Sequence, residues 1–180
     1  MQWQIDTTHS SVTAAVRHMM LTTVRGGFSG PSGVIDFDPA RPEAGGIELR
    51  IPAASVSTGD QKRDGHLRSA DFLDAEKYPE IVFKSTKVTP KGKAEFVVDG
   101  DLTIRGTTKP VSVKVDLLGI AVDPKAGQRA GFDAKFSFDR TQWGLTWNMP
   151  IPSGVLVSEK ITVEANIAAT PKVEAAQLAA

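Results

Sequence analysis

Apolar and polar residues alternate with a period of two along most of the chain. Val12, Ala14 and Val16 fall on one side, with Thr13, Ala15 and Arg17 opposite. Val34-Ile35-Asp36-Phe37 and Ile47-Glu48-Leu49-Arg50-Ile51 continue the alternation, and Ile81-Val82-Phe83-Lys84-Ser85 is a short β-branched run. Phe96, Val98, Gly100, Leu102 and Ile104 share one face, and Val111, Val113, Val115 and Leu117 share another. Phe132, Ala134, Phe136 and Phe138 form a third series and Ile161, Val163, Ala165 and Ile167 a fourth, each opposed mainly by polar residues. Successive side chains of a strand point to opposite faces, so this period predicts half-buried strands. Gly30-Pro31-Ser32-Gly33, Pro42–Gly46, Pro90–Gly92, Arg105–Pro110 and Asp123–Gly127 fit hairpin loops between them.

Three places break the rhythm. Ser57 to Tyr78 has spacing closer to helical, with Asp60 and Ser69 as candidate caps, and predicts one or two short helices around 59–76. A turn of helix is expected at Met19–Thr22. From Thr170 the chain is Ala-rich without a partner pattern, so residues 1–170 are read as one domain and 171–180 as a flexible tail. About eight antiparallel strands with one helical excursion form either a closed barrel or a two-sheet sandwich, and alternation alone does not choose. An eight-stranded barrel has an interior just wide enough for side chains or one small ligand, and closure removes exposed edges.

Composition narrows the chemistry. Lys+Arg and Asp+Glu are equal at 21 each, so the net charge is zero, nothing suggests a polyanion-binding surface, and nucleic acid is a poor match as partner. There is no cysteine, so disulfides, thiolate nucleophiles and cysteine-ligated metals are excluded. No stretch approaches the roughly 20 apolar residues of a membrane-spanning helix. Met1–Asp6 already alternates and reads as a first strand rather than a secretion signal, so a cytoplasmic location is expected.

His9, His18 and His66 are the only histidines, and they lack the spacing of a metal or acid–base cluster. Arg63, Asp64 and Arg68 lie in one short segment, either as a solvated helix face or as a phosphate-binding rim. Arg105-Gly106 reads as a tight turn. No phosphate loop, nucleophile elbow or nucleophile–base pair is present. These readings point away from an enzyme, a cofactor or a metal.

An ordered set of phrases resembles a known family. They are Asp6–Val12 followed by Val16-Arg17-His18-Met19, then Gly26-Gly27-Phe28, then Ser57-Thr58-Gly59 with Arg63–Asp74. Tyr78–Ser85, Gly100–Val111, Gly131-Phe132 and Asp139–Leu145 complete the series. Together they resemble the YceI-like, polyisoprenoid-binding family over nearly the whole chain. The resemblance implies an extended eight-stranded antiparallel lipocalin-like β-barrel with an apolar lumen. It also implies a long-chain isoprenoid lipid as ligand, a polyprenyl phosphate or an isoprenoid quinone, a role in lipid storage or transport, and a homodimer.

On such a barrel the expected lumen residues from the first half of the chain are Val12, Ala14, Val16, Met19, Phe28, Ile35, Phe37, Leu49, Leu67 and Phe72. From the second half they are Phe83, Phe96, Val98, Leu102, Phe132, Phe136, Phe138, Trp143, Trp147 and Val163. The two tryptophans would close one end or plug it. Arg17, His18, Arg63, His66 and Arg68 are the head-group candidates. Ala14 stands where family members often carry Phe, which would leave extra room, and Phe72-Leu73 stands for a pair of aromatics. The stretch Thr146–Pro152 has no assigned counterpart. Two rival readings remain: a barrel-lumen isomerase or hydrolase using His9, Asp64 or His66, and an interaction module whose lumen is filled by its own side chains.

Overall fold

The computed structural model describes residues 1–125 and 127–172. In chain order the elements are β1 (Gln2–Ile5), β2 (Ser11–His18), β3 (Thr22–Phe28), β4 (Ser32–Asp36), β5 (Gly46–Pro52), α1 (Gln61–Arg68), β6 (Glu80–Pro90), β7 (Glu95–Ile104), β8 (Thr107–Asp123) and β9 (Gly127–Asp139). A two-stranded hairpin, β10 (Pro150–Ile151) and β11 (Gly154–Val155), precedes β12 (Lys160–Pro171). Single 3₁₀ turns occupy Pro42–Ala44, Ala53–Ser55 and Arg140–Trp143.

Hydrogen bonding runs antiparallel around a ring, β1-β4-β5-β6-β7-β8-β9-β12, and returns from β12 to β1. The barrel is therefore closed. Along the edge away from β9, β12 pairs first with β2, Thr162 opposite Ala15, and then with β1, Ile5 opposite Ala169. β1 and β2 thus act as one long interrupted stave, and β3 and β4 as another, which makes eight staves in all. The Gly30–Gly33 stretch, expected as a hairpin, is the corner where the chain leaves β2 and joins β1. Gly33 is required there, because a Cβ at its φ of 147° would lie 1.9 Å from the Glu48 carbonyl oxygen.

The expected helical turn at Met19–Thr22 is instead a tight hairpin. Met19 and Met20 take left-handed φ values of 52° and 58°, and the Leu21 amide donates to the His18 carbonyl. A turn with two positive φ values matches the twist of the flanking strands, and here that requirement overrides the helical spacing. Thr170 and Pro171, read as the start of the tail, pair with β1 as part of β12; residues 173–180 lie outside the described residues.

One end of the barrel is filled by its own side chains. Trp3, Ile5, Ile35, Phe37, Phe96 and Phe132 form a closed plug with Ala130, Ile167 and Ala169. Phe37 packs edge-on to Phe96 and Phe132, with ring centroids 6.0 and 5.5 Å away. The Trp3 indole, 2% exposed, donates to the Phe37 carbonyl. At the opposite end the staves do not meet all round, and residues 53–79 fill the gap beside β3. Only the Gly27–Ser57 pair, with N···O distances of 2.8 and 2.9 Å, joins that segment to β3 by backbone hydrogen bonds.

Candidate functional site

α1 is short and carries no apolar stripe, so local bonds rather than burial set it. The Asp60 carboxylate caps it by accepting from the Arg63 amide at 2.9 Å. Asp64 is buried, and its carboxylate accepts from the Thr58 amide at 2.8 Å and the Thr58 hydroxyl at 2.6 Å. The Thr58 hydroxyl, then its amide, hold Asp64 below the ordinary carboxylate range against the opposing effect of burial. Arg68 donates to the carbonyls of Ala54 and Val56 at 2.8 and 3.0 Å. These bonds pin α1 over the open end of the barrel.

Between plug and α1 lies a blind cavity of about 610 Å³, within the usual range for small-molecule sites. Its floor is the upper surface of the plug, Val98 and Ile167, with Ile47, Val115 and Ala165 packed against it. Its walls include Val12, Ala14, Val16, Phe28, Leu49 and Phe83, with Leu102, Phe136, Phe138 and Val163 completing the circuit. Leu67, Phe72 and Trp147 line its upper part, and Arg17, His18, Arg63 and His66 its rim. The structure brings fourteen of the twenty expected lumen residues and four of the five head-group candidates to one space, and adds Ile47, Val115, Ala165 and Ile167 at its floor.

Six expected lumen residues lie elsewhere. Ile35, Phe37, Phe96 and Phe132 belong to the plug, below the floor. Trp143 sits behind the wall, 2% exposed, donating its indole N–H to the Leu102 carbonyl at 2.9 Å and packing edge-on to Phe138. Met19 is at the outer tip of the β2–β3 hairpin, 38% exposed. Among the head-group candidates Arg68 is the exception: it does not line the cavity, and its guanidinium donates to the carbonyls of Ala54 and Val56.

His66 takes a structural place. Its Nε2 is 2.9 Å from an Asp71 carboxylate oxygen. Its ring meets Phe72 and Trp147 edge-on, with centroids 5.0 and 4.7 Å away. This cluster clasps α1 to the Thr146–Pro152 stretch, which folds into the β10–β11 hairpin at the rim. His9 is remote from the cavity: its Nδ1 meets the Asp6 carboxylate at 2.9 Å, and Asp6 also accepts from Arg129. The residues of the hydrolase reading, His9, Asp64 and His66, are thus held by separate partners. Among the described residues no group of three or more His, Cys, Asp or Glu side chains is placed to hold a metal ion.

Sequence reasoning missed Arg140. It is 2% exposed and lines the upper cavity. Its guanidinium donates to the carbonyls of Ser158, Leu145, Trp147 and Val157. Burial pulls it below the ordinary arginine range, and Glu159 and Asp139 oppose that at longer range. The phrase Asp139–Gly144 marked the position, but nothing in the pattern distinguishes a buried arginine from an exposed one. Asp60, Lys62, Leu156 and Val157 at the rim were missed as well, because a rim is assembled from distant loops.

The YceI-like domain family model matches residues 3–169. A UPF0312 protein of Vibrio cholerae is 37% identical over 143 residues, covering 78% of this chain and 76% of that one. The crystal structure of Burkholderia cenocepacia BcnA superposes with a TM-score of 0.82 at 25% identity, covering 92% of this chain and 99% of that one. The Campylobacter jejuni YceI protein gives 0.66 at 32% identity over 83% and 88%. A polyisoprenoid binding domain from Saccharophagus degradans gives 0.72 at 13% identity over 94% and 98%, a likeness of fold.

Proposed function

The chain belongs to the YceI-like family, and on that premise we propose that it is a carrier or store for a long-chain isoprenoid lipid. The observation that carries the proposal is the blind apolar cavity with cations at its rim. An isoprenoid tail offers no hydrogen bonds, so its affinity comes from apolar area removed from water, roughly 0.8 kcal/mol per buried methylene. The tail lies along the stave faces, and the head group, phosphate or quinone, sits at the rim near Arg17, Lys62 and Arg63. The polyisoprenoid binding named for the Saccharophagus degradans domain supports the ligand class. The lipid is bound rather than converted, and no cofactor takes part. A second copy would dock on the outer stripe Leu118, Ile120 and Val122, exposed on β8 beyond its last β7 partner.

Organic extraction of the purified protein, followed by mass spectrometry, tests this. A near-stoichiometric isoprenoid is expected; protein that is empty and takes up no added isoprenoid overturns the proposal. Replacing Lys62 and Arg63 together by Ala is expected to weaken a polyprenyl phosphate by roughly tenfold or more, since charge-assisted bonds are lost, and to leave a quinone unchanged.

A further inference from the structure

Nine large apolar side chains stand out as exposed among the described residues, and they are not scattered. Five of them, Met19, Met20, Leu21, Met149 and Val155, are 38–74% exposed and sit on two hairpins at the rim of the cavity. The hairpins are one platform, because the Met19 amide donates to the Leu156 carbonyl at 2.8 Å and the Leu156 amide to the Met149 carbonyl at 2.9 Å. The Leu118–Val122 stripe is at the opposite pole, beyond the plug. Single exposed hydrophobics need no explanation, but a contiguous apolar patch beside a cavity mouth does.

Charge completes the pattern. The chain is neutral overall, yet residues 7–35 and 140–158, which build the platform, contain no aspartate or glutamate. Arg17 lies beneath the tip, donating to the Thr23 hydroxyl and to the carbonyls of Met20 and Leu21. Lys62 and Arg63 face the same rim, exposed, and no carboxylate lies within ion-pairing distance of any of the three among the described residues. The one acid lining the cavity, Asp60, is engaged in capping α1. Methionine and leucine at a protruding tip, with cations set just behind, match a bilayer interface whose acyl region takes the apolar tip and whose phosphates meet the cations.

We propose that the two rim hairpins dock the mouth of the barrel on the surface of an anionic lipid bilayer, so that a tail passes between membrane and lumen without crossing water. The docking rests on the carrier reading, since it gives the lumen its source of lipid. Cosedimentation with phosphatidylcholine vesicles, with and without phosphatidylglycerol, tests it. The full-length protein is expected to sediment with the anionic vesicles, less so as salt is raised. The triple variant Met20→Ser, Leu21→Ser and Met149→Ser lies outside the cavity lining. It is expected to lose roughly tenfold or more of that binding while taking up farnesol in solution as the wild type does. Wild-type protein that stays in the supernatant, or a variant that sediments like it, overturns the docking. Equal sedimentation with both vesicle types overturns its anionic character. Wild-type protein that fails to take up farnesol overturns the carrier reading instead, so the two failures are told apart.

Discussion

At Arg140 a positive charge is held at 2% exposure with four backbone carbonyls around it. Its planar fork ties the 3₁₀ turn, Trp147 and the segment leading into β12 together at the top of the cavity, and lysine cannot reproduce that geometry. Arg140→Met is expected to cost roughly 3–5 kcal/mol, because buried carbonyls lose their donor. Urea denaturation measures it, and a loss below about 1 kcal/mol would contradict the arrangement. Ala14 acts the other way. It faces the cavity between Gly26 on β3 and Val163 on β12, so the wall there is thin. Ala14→Phe is expected to fold normally and to weaken a long isoprenoid roughly tenfold by filling its space; titration followed by Trp147 fluorescence reads the change. At Asp6 the Arg129 guanidinium, and then His9, hold the carboxyl well below the usual range. The folded state therefore binds fewer protons than the unfolded chain, whose aspartate titrates near pH 4. That stability is present above about pH 4 and drains away as pH falls toward the depressed folded value. Asp6→Asn should flatten the acid limb of the stability curve, and an unchanged limb would remove Asp6 as its cause.

Among the elements, the strands were legible and their joints were not. Alternation marked the long strands, each with one wet and one dry face, except β3 (Thr22–Phe28), whose Thr-Thr-Val-Arg-Gly-Gly run shows no apolar series and whose Gly26-Gly27-Phe28 reads as a turn. The Gly30–Gly33 corner reads like a hairpin in sequence, since Gly and Pro mark a change of direction without saying which strand comes next. The Met19–Met20 turn misled for a related reason: two methionines have good helical propensity, but strand twist sets the turn. The segment 53–79 has a distinct standing. Its hydrogen bonds are mostly internal, and the Gly27–Ser57 pair is its backbone link to β3. Amide exchange in α1 is expected to be faster than in β7, which is paired on both sides over most of its length. Protection equal to that of the staves would rule out this segment as the moving part of the mouth.

For the whole molecule, the two poles differ in what fills them. Aromatics from β1, β7 and β9, with Phe37 just after β4, meet and exclude solvent at one pole, while a gap bridged by α1 leaves the other open. The resulting blind lumen predicts that a longer isoprenoid tail binds more tightly only until the floor at Val98 and Ile167 is reached, and a chain-length series read by displacement checks this. By itself the sequence determined that there are half-buried strands, which side of each is apolar, that cysteine chemistry is excluded, and that two long stretches carry no acid. It could not set the height of a residue along the barrel axis. Phe96 and Leu102 share one face of one strand, yet Phe96 belongs to the plug and Leu102 to the cavity wall. A period of two encodes the face a side chain points to. How far along the axis it sits depends on the register between strands distant in sequence. Only the closed ring fixed that register, and with it the floor, the rim and the burial of Arg140.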